Sequence, residues 1–120
     1  LYAEDAIIED PIGVSHIDPE GKGHRGQAAR EAFWDNFIAP ANIDIVINDS
    51  YAAGNEVANH IEITIVIPAG DGKALQQKVF GVFTYHVNEE GKLLSLRGYW
   101  EVDDPRNALT EITLDDADTA

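Results

Sequence analysis

VFTYHVNEEGKLLSLRGYWE, residues 82–101, holds two runs of aromatic, aliphatic and β-branched residues on either side of a polar turn, Asn88–Lys92. That pattern is an antiparallel hairpin. The first arm extends back to Gln76 and alternates: Val79, Gly81, Phe83, Tyr85 and Val87 take one side, Phe80 and Val82 the other. Upstream, EVANHIEITIVIP (56–68) places Val57, Asn59, Ile61, Ile63, Ile65 and Ile67 on one face. The segment AGDGK (69–73) joins these two arms, and Asp-Gly favours the positive φ of a tight hairpin. NIDIVIND (42–49) is a further strand, with Ile43, Ile45 and Ile47 alternating against Asp44, Val46 and Asn48.

Ahead of these strands, Gln27–Ile38 reads as a helix that Pro40 ends. Before it lies a loop rich in Gly, Pro and Asp, DPIGVSHIDPEGKGHRG (10–26), and a short strand at Ala6–Glu9. The order predicts an α+β fold: a curved, mostly antiparallel sheet forming a cone around a helix. Residues 1–108 are expected to form a single domain and 109–120 an acidic tail. Apolar residues on both faces of the sheet predict a pocket on one and a dimer contact or second layer on the other.

Bulk properties narrow the function. With 44% hydrophobic residues in 120, the chain can bury a core. Its net charge of −14 disfavours nucleic acid, anionic membranes and anionic substrates. A small neutral, hydrophobic molecule is the easier partner. The chain has no cysteine, which excludes thiolate chemistry and fits a reducing, cytoplasmic setting. His16, His24, His60 and His86 lack metal-ligand spacing; His16 and His24 share a loop with Asp18, a weak pattern better read as solvated loop histidines, so no metal or cofactor is expected. GKGHRG (21–26) lacks the strand-to-helix frame of a phosphate loop.

In IIEDPIG (7–13) a carboxylate pair stands among isoleucines. Asp10 can cap the Asp-Pro turn, or it can be a poorly solvated base. Alternation sends Glu9 to the opposite side.

Together LYAEDAIIEDPIG, HRGQAAREAFW and VFTYHVNEEGKLLSLRGYWE resemble the bacterial ketosteroid isomerases and their relatives with the nuclear transport factor two-like, or SnoaL-like, cone fold. The resemblance runs from Leu1 to about Val102. It implies a catalytic role for Asp10, as the base that moves a proton between two carbons of a steroid. Such a base needs poor solvation, and the enolate it forms needs hydrogen-bond donors in a dry site. The family's helices ahead of the first strand are not seen before Leu1, and its oxyanion tyrosine belongs to them. The position of the second, protonated oxyanion acid falls on Phe83, which cannot donate. Tyr2 and Trp34 match supporting aromatic positions, Trp100 a pocket wall, and Phe33 accompanies Trp34 on the helix. Tyr85 shares a side of its strand with Phe83 and can bring a hydroxyl to the pocket. The resemblance also implies a homodimer through the outer sheet face. A non-catalytic binding protein remains an alternative, as does another enzyme of the fold, such as a polyketide cyclase or epoxide hydrolase. No Asp-Arg-Asp set stands out for the last.

Overall fold

The computed structural model describes residues 1–113. Its strands are β1 (Tyr2–Glu9), β2 (His24–Arg25), β3 (Asn42–Ala53), β4 (Glu56–Gly70), β5 (Lys73–Val87), β6 (Leu93–Tyr99) and β7 (Leu109–Thr113). Helix α1 (Gly26–Phe33) runs straight into a wider π-type turn, Trp34–Ile38. The sheet order is β2-β1-β6-β5-β4-β3, with β7 added to β5. Every pair is antiparallel except β1–β6. The α+β class and the curved, mostly antiparallel sheet with one helix therefore stand, and the sheet does not close.

The turns explain the meander. Asp71 adopts φ 55° and Gly72 φ 72°, the left-handed geometry that lets β4 fold directly back as β5. At the β5–β6 turn the Asn88 side chain accepts from the amides of Glu90 and Lys92 at 2.9 and 3.0 Å. The helix spans the expected residues. Its last turn is wider because the Ala39 amide reaches back to the Trp34 carbonyl at 2.8 Å, immediately before Pro40 ends the helix.

Alternation along β4 and β5 builds the core. Ile61, Val79 and Phe83 are buried together, and Ile63, Ile65, Tyr85, Leu96 and Trp100 pack on them. On β3, Ile45 and Ile47 sit opposite Ile63 and Ile61, yet each is 55% exposed because β3 is an edge strand.

Leu109–Thr113, expected as the start of the acidic tail, instead pairs with Lys73–Gln77 of β5. Residues 114–120 of that expected tail lie outside the described residues. Asn107, 1% exposed, secures this return: its side chain donates to the Glu101 carbonyl at 2.7 Å and accepts from the Phe80 amide at 2.9 Å.

Candidate functional site

Strand β1 delivers Asp10. Directly after it comes a cis Asp10–Pro11 peptide, and the Ile12 amide then donates to the Gly98 carbonyl at 3.0 Å, which ties the turn to β6. Trp100, just past β6, donates its indole N–H to Asp10 Oδ1 at 2.7 Å. Gly98 makes room for this bond. A Cβ there would lie 2.8 Å from the Phe83 ring, 2.9 Å from Asp10 Oδ1 and 3.1 Å from Trp100 Nε1. Asp10, Phe83 and Trp100 therefore converge over a bare stretch of backbone, a use of glycine in a strand that close approach requires.

Asp10 also lines a cavity of about 180 Å³ with Tyr2, Ile8, Phe33, Trp34 and Leu96. Arg30 and Ile38 complete its wall. A second hollow of about 360 Å³ adjoins it and shares Tyr2, Arg30 and Trp34. Trp34 is 58% exposed and so forms a rim rather than a floor. A larger groove of about 550 Å³ runs past Asp44, Thr64, Gln76 and Lys78. Another of about 380 Å³ runs past Arg97, Glu101, Asp104 and Arg106. Both are bordered by charged side chains and lack a desolvated acid, so the Asp10 cavity is the candidate site.

Burial raises the Asp10 carboxyl above the ordinary carboxylate range, while the Trp100 hydrogen bond and the charge of His24 oppose that rise. Burial also raises the Tyr85 hydroxyl. A hydrogen bond with Asn59 opposes that rise, and Asp10 and Tyr2 add to it. Tyr2 is raised by burial and opposed by Arg30, whose guanidinium lies 5.3 Å from its ring centre. The region thus holds a carboxyl poised to accept a proton and two phenols that keep theirs.

Among the sequence-derived candidates, Tyr2, Asp10, Phe33 and Trp34 meet in one cavity. Phe83 and Trp100 flank Asp10 from the sheet side over Gly98, and Tyr85 packs on the core cluster behind them. Glu9 turns away, as alternation requires, and faces Arg97 at 3.3 Å.

Sequence reasoning missed Arg30 and His24. Arg30 donates to the carbonyls of Ala6 at 2.9 Å and Glu4 at 3.4 Å, holding α1 onto β1. Its signal was its spacing, one helical turn before Phe33 and Trp34. His24 is not a solvated loop residue: it lies in β2, half-buried, with its ring 4.8 Å from that of Phe33. Among the described residues no cluster of His, Asp or Glu is arranged to hold a metal ion.

Residues 1–96 match the family profile described as a SnoaL-like domain. A steroid Delta-isomerase of Nocardioides simplex is 29% identical over 100 residues, covering 83% of this chain and 71% of its own length. The Delta 5-3-ketosteroid isomerase of a Mycobacterium species superposes with a TM-score of 0.78 at 35% identity, over 93% of this chain and 81% of that one. A Mycobacterium tuberculosis protein in complex with estradiol-17beta-hemisuccinate gives a TM-score of 0.77 at 35% identity, over 86% of this chain and 78% of that one.

Proposed function

Because this chain belongs to the SnoaL-like domain family, we propose that it is a steroid delta-isomerase-like protein that takes a neutral steroid or similar polycyclic ketone and uses Asp10 as its proton shuttle. The observation that carries the reading is Asp10 itself: a desolvated carboxyl, oriented by Trp100 at 2.7 Å, on the wall of an otherwise largely apolar cavity. A ligand pocket usually needs about 300 Å³ or more. The inner chamber therefore takes the reacting end, and the adjoining hollow takes the rest.

In the reaction, the Asp10 carboxylate removes a proton from the carbon between the ketone and the double bond. The C–H electron pair becomes the dienolate, with negative charge on the ketone oxygen. The same carboxyl then returns the proton to the far alkene carbon, so the double bond moves into conjugation and nothing is oxidised or reduced. Burial tunes the base upward for this work, since a poorly solvated carboxylate takes a carbon-bound proton more readily. Trp100 fixes which oxygen faces the substrate. The Tyr85 hydroxyl, hydrogen-bonded with Asn59, is a further donor electrostatically coupled to Asp10.

Phe83 favours a second reading. It is 3% exposed and brings no donor to Asp10's side, a loss that typically lowers the rate by about 10²–10³. The protein would then hold its steroid without turning it over. One experiment separates the two: absorbance assay of a 5-ene-3-ketosteroid, with binding followed by quenching of Trp34 and Trp100 fluorescence. The isomerase reading expects turnover that Asp10→Asn lowers by about 10²–10⁴ and that Phe83→Asp raises by up to about 10². Binding of a fully apolar steroid stays unchanged or weakens in Phe83→Asp. Turnover indifferent to Asp10→Asn defeats the proton shuttle, and no binding of any steroid defeats the pocket.

The proposal includes a homodimer through the outer sheet face, where Val82 and Tyr99 stand opposite each other, 38% and 48% exposed. It also includes a cytoplasmic setting. Sedimentation and cell fractionation test these two points.

A further inference from the structure

His24 stands opposite Ile8 in antiparallel register. Side chains so paired share a sheet face, and Ile8 and Asp10 both line the cavity. Asp10 is thus the diagonal neighbour of His24, a placement that separates residues by about 7–8 Å. The His24 ring packs on Phe33, another wall of the same cavity, at 4.8 Å between centroids. Its Nε2 is shut off from solvent, and among the described residues it has no hydrogen-bond partner. An imidazole nitrogen buried without a partner is costly, and a nearby carboxylate favours the charged ring against the desolvation that burial imposes.

We propose that His24 is a positioning residue for Asp10: in mildly acid solution its imidazolium becomes the partner that keeps the cavity carboxylate ionised. This rests on the reading of Asp10 as the base. Burial alone would let that base fill with a proton as the pH falls, and turnover would stop. The indole of Trp100 favours the ionised carboxylate through its hydrogen bond but brings no charge of its own. A histidine gains positive charge as the solution turns acid, the same change that drives a proton onto a carboxylate. The direction of its effect on Asp10 agrees with this role. Tyr2 and Arg30 line the same cavity and Tyr85 is coupled to Asp10, while other charged groups on the surrounding elements have partners of their own. Glu9 of β1 faces Arg97 of β6, and Asp18 of the loop accepts from the Lys22 and Gly23 amides. Arg25 donates to the Lys22 carbonyl, and Arg30 of α1 donates to the carbonyls of Glu4 and Ala6.

The test is reciprocal titration by NMR, with no substrate needed. The Asp10 carboxyl is followed in the wild type, His24→Gln and His24→Phe; the His24 ring is followed in the wild type and Asp10→Asn. The expected result is that Asp10 titrates at higher pH in both His24 variants. His24 titrates at lower pH in Asp10→Asn, by a matching amount. In a turnover assay the acid limb of the pH profile moves up in His24→Gln. An unmoved Asp10 in whichever His24 variant folds, or an unmoved His24 in Asp10→Asn, overturns the proposal. The second arm leaves His24 in place, so poor folding of a His24 variant does not shelter the idea. Reciprocal coupling without turnover supports the pair and sinks only the proton-shuttle reading.

Discussion

The Asp10 corner and the β3–β4 hairpin both carry large apolar side chains and treat them in opposite ways. At the corner, a glycine, an indole and a carboxyl interlock within about one atomic diameter of contact. Gly98 supplies the space and Trp100 the hydrogen bond. Along the hairpin the pairing is long, from Asn42↔Val66 to Ala53↔Glu56, with one shift of register between Ile47 and Asp49. Even so, Ile45, Val46, Ile47 and Tyr51 remain 47–68% exposed. The hairpin is held by its backbone ladder, and the corner by side chains that fit one way. Substitution should therefore be punished at the corner and forgiven on the hairpin.

The largest effect should come from Gly98→Val. Its side chain would press on Phe83, Asp10 and Trp100 together, with destabilisation of about 1–3 kcal/mol from overpacking and loss of the Asp10–Trp100 bond. Urea unfolding measures the first, and the indole N–H chemical shift the second. A Gly98→Val protein with normal stability and an unmoved indole resonance would erase the contrast.

A smaller effect, with a definite sign, is expected for Asp10→Asn. Burial raises the Asp10 carboxyl, so the folded state binds its proton more tightly than the unfolded chain does. Ionised Asp10 therefore costs stability. The cost is absent below the ordinary carboxylate pKa and grows as pH rises through the raised value, after which it is fully present. Asparagine removes the charge and still accepts from Trp100. Thermal denaturation should find Asp10→Asn more stable than wild type by a few degrees at pH 7, with the gap closing in acid. A gap that widens in acid would mean that the carboxyl is held down, not up.

The smallest effect belongs to the hairpin. Ile45→Thr keeps β-branching, and its side chain is already half in solvent. It should change stability by no more than about 0.5 kcal/mol. A loss of several kcal/mol would show that this face is covered in solution.

How far the sequence could be read follows the same division. Alternation and turn chemistry located β3, β4, β5 and β6, because strand period and Asp71-Gly72 are local signals. Pro40 marked the end of the helix, but the widened turn at Trp34–Ile38 depends on packing and left no local mark. Strand β7 was hidden in an acidic, mostly exposed segment whose partner lies more than thirty residues earlier. Asp10 was legible from its isoleucine setting and the family resemblance. Its bond to Trp100 spans ninety positions and was not. His24 looked like loop composition, since a two-residue strand carries no period.

Asn107 has one further consequence. Along one side of β5, β7 pairs with Lys73–Gln77 and β6 with Val82–Val87, which leaves an interruption between them. The Asn107 side chain takes the Phe80 amide within that interruption, and its backbone carbonyl takes the Gln77 side chain at 3.0 Å. One residue of a three-residue helical turn thus serves as a missing rung, and that flank of the central strand offers no open ladder to a stray chain. Strand-to-strand aggregation is the standing hazard of an open sheet, and at the outer edge of β3 Asp44 and Asp49 supply charge against it.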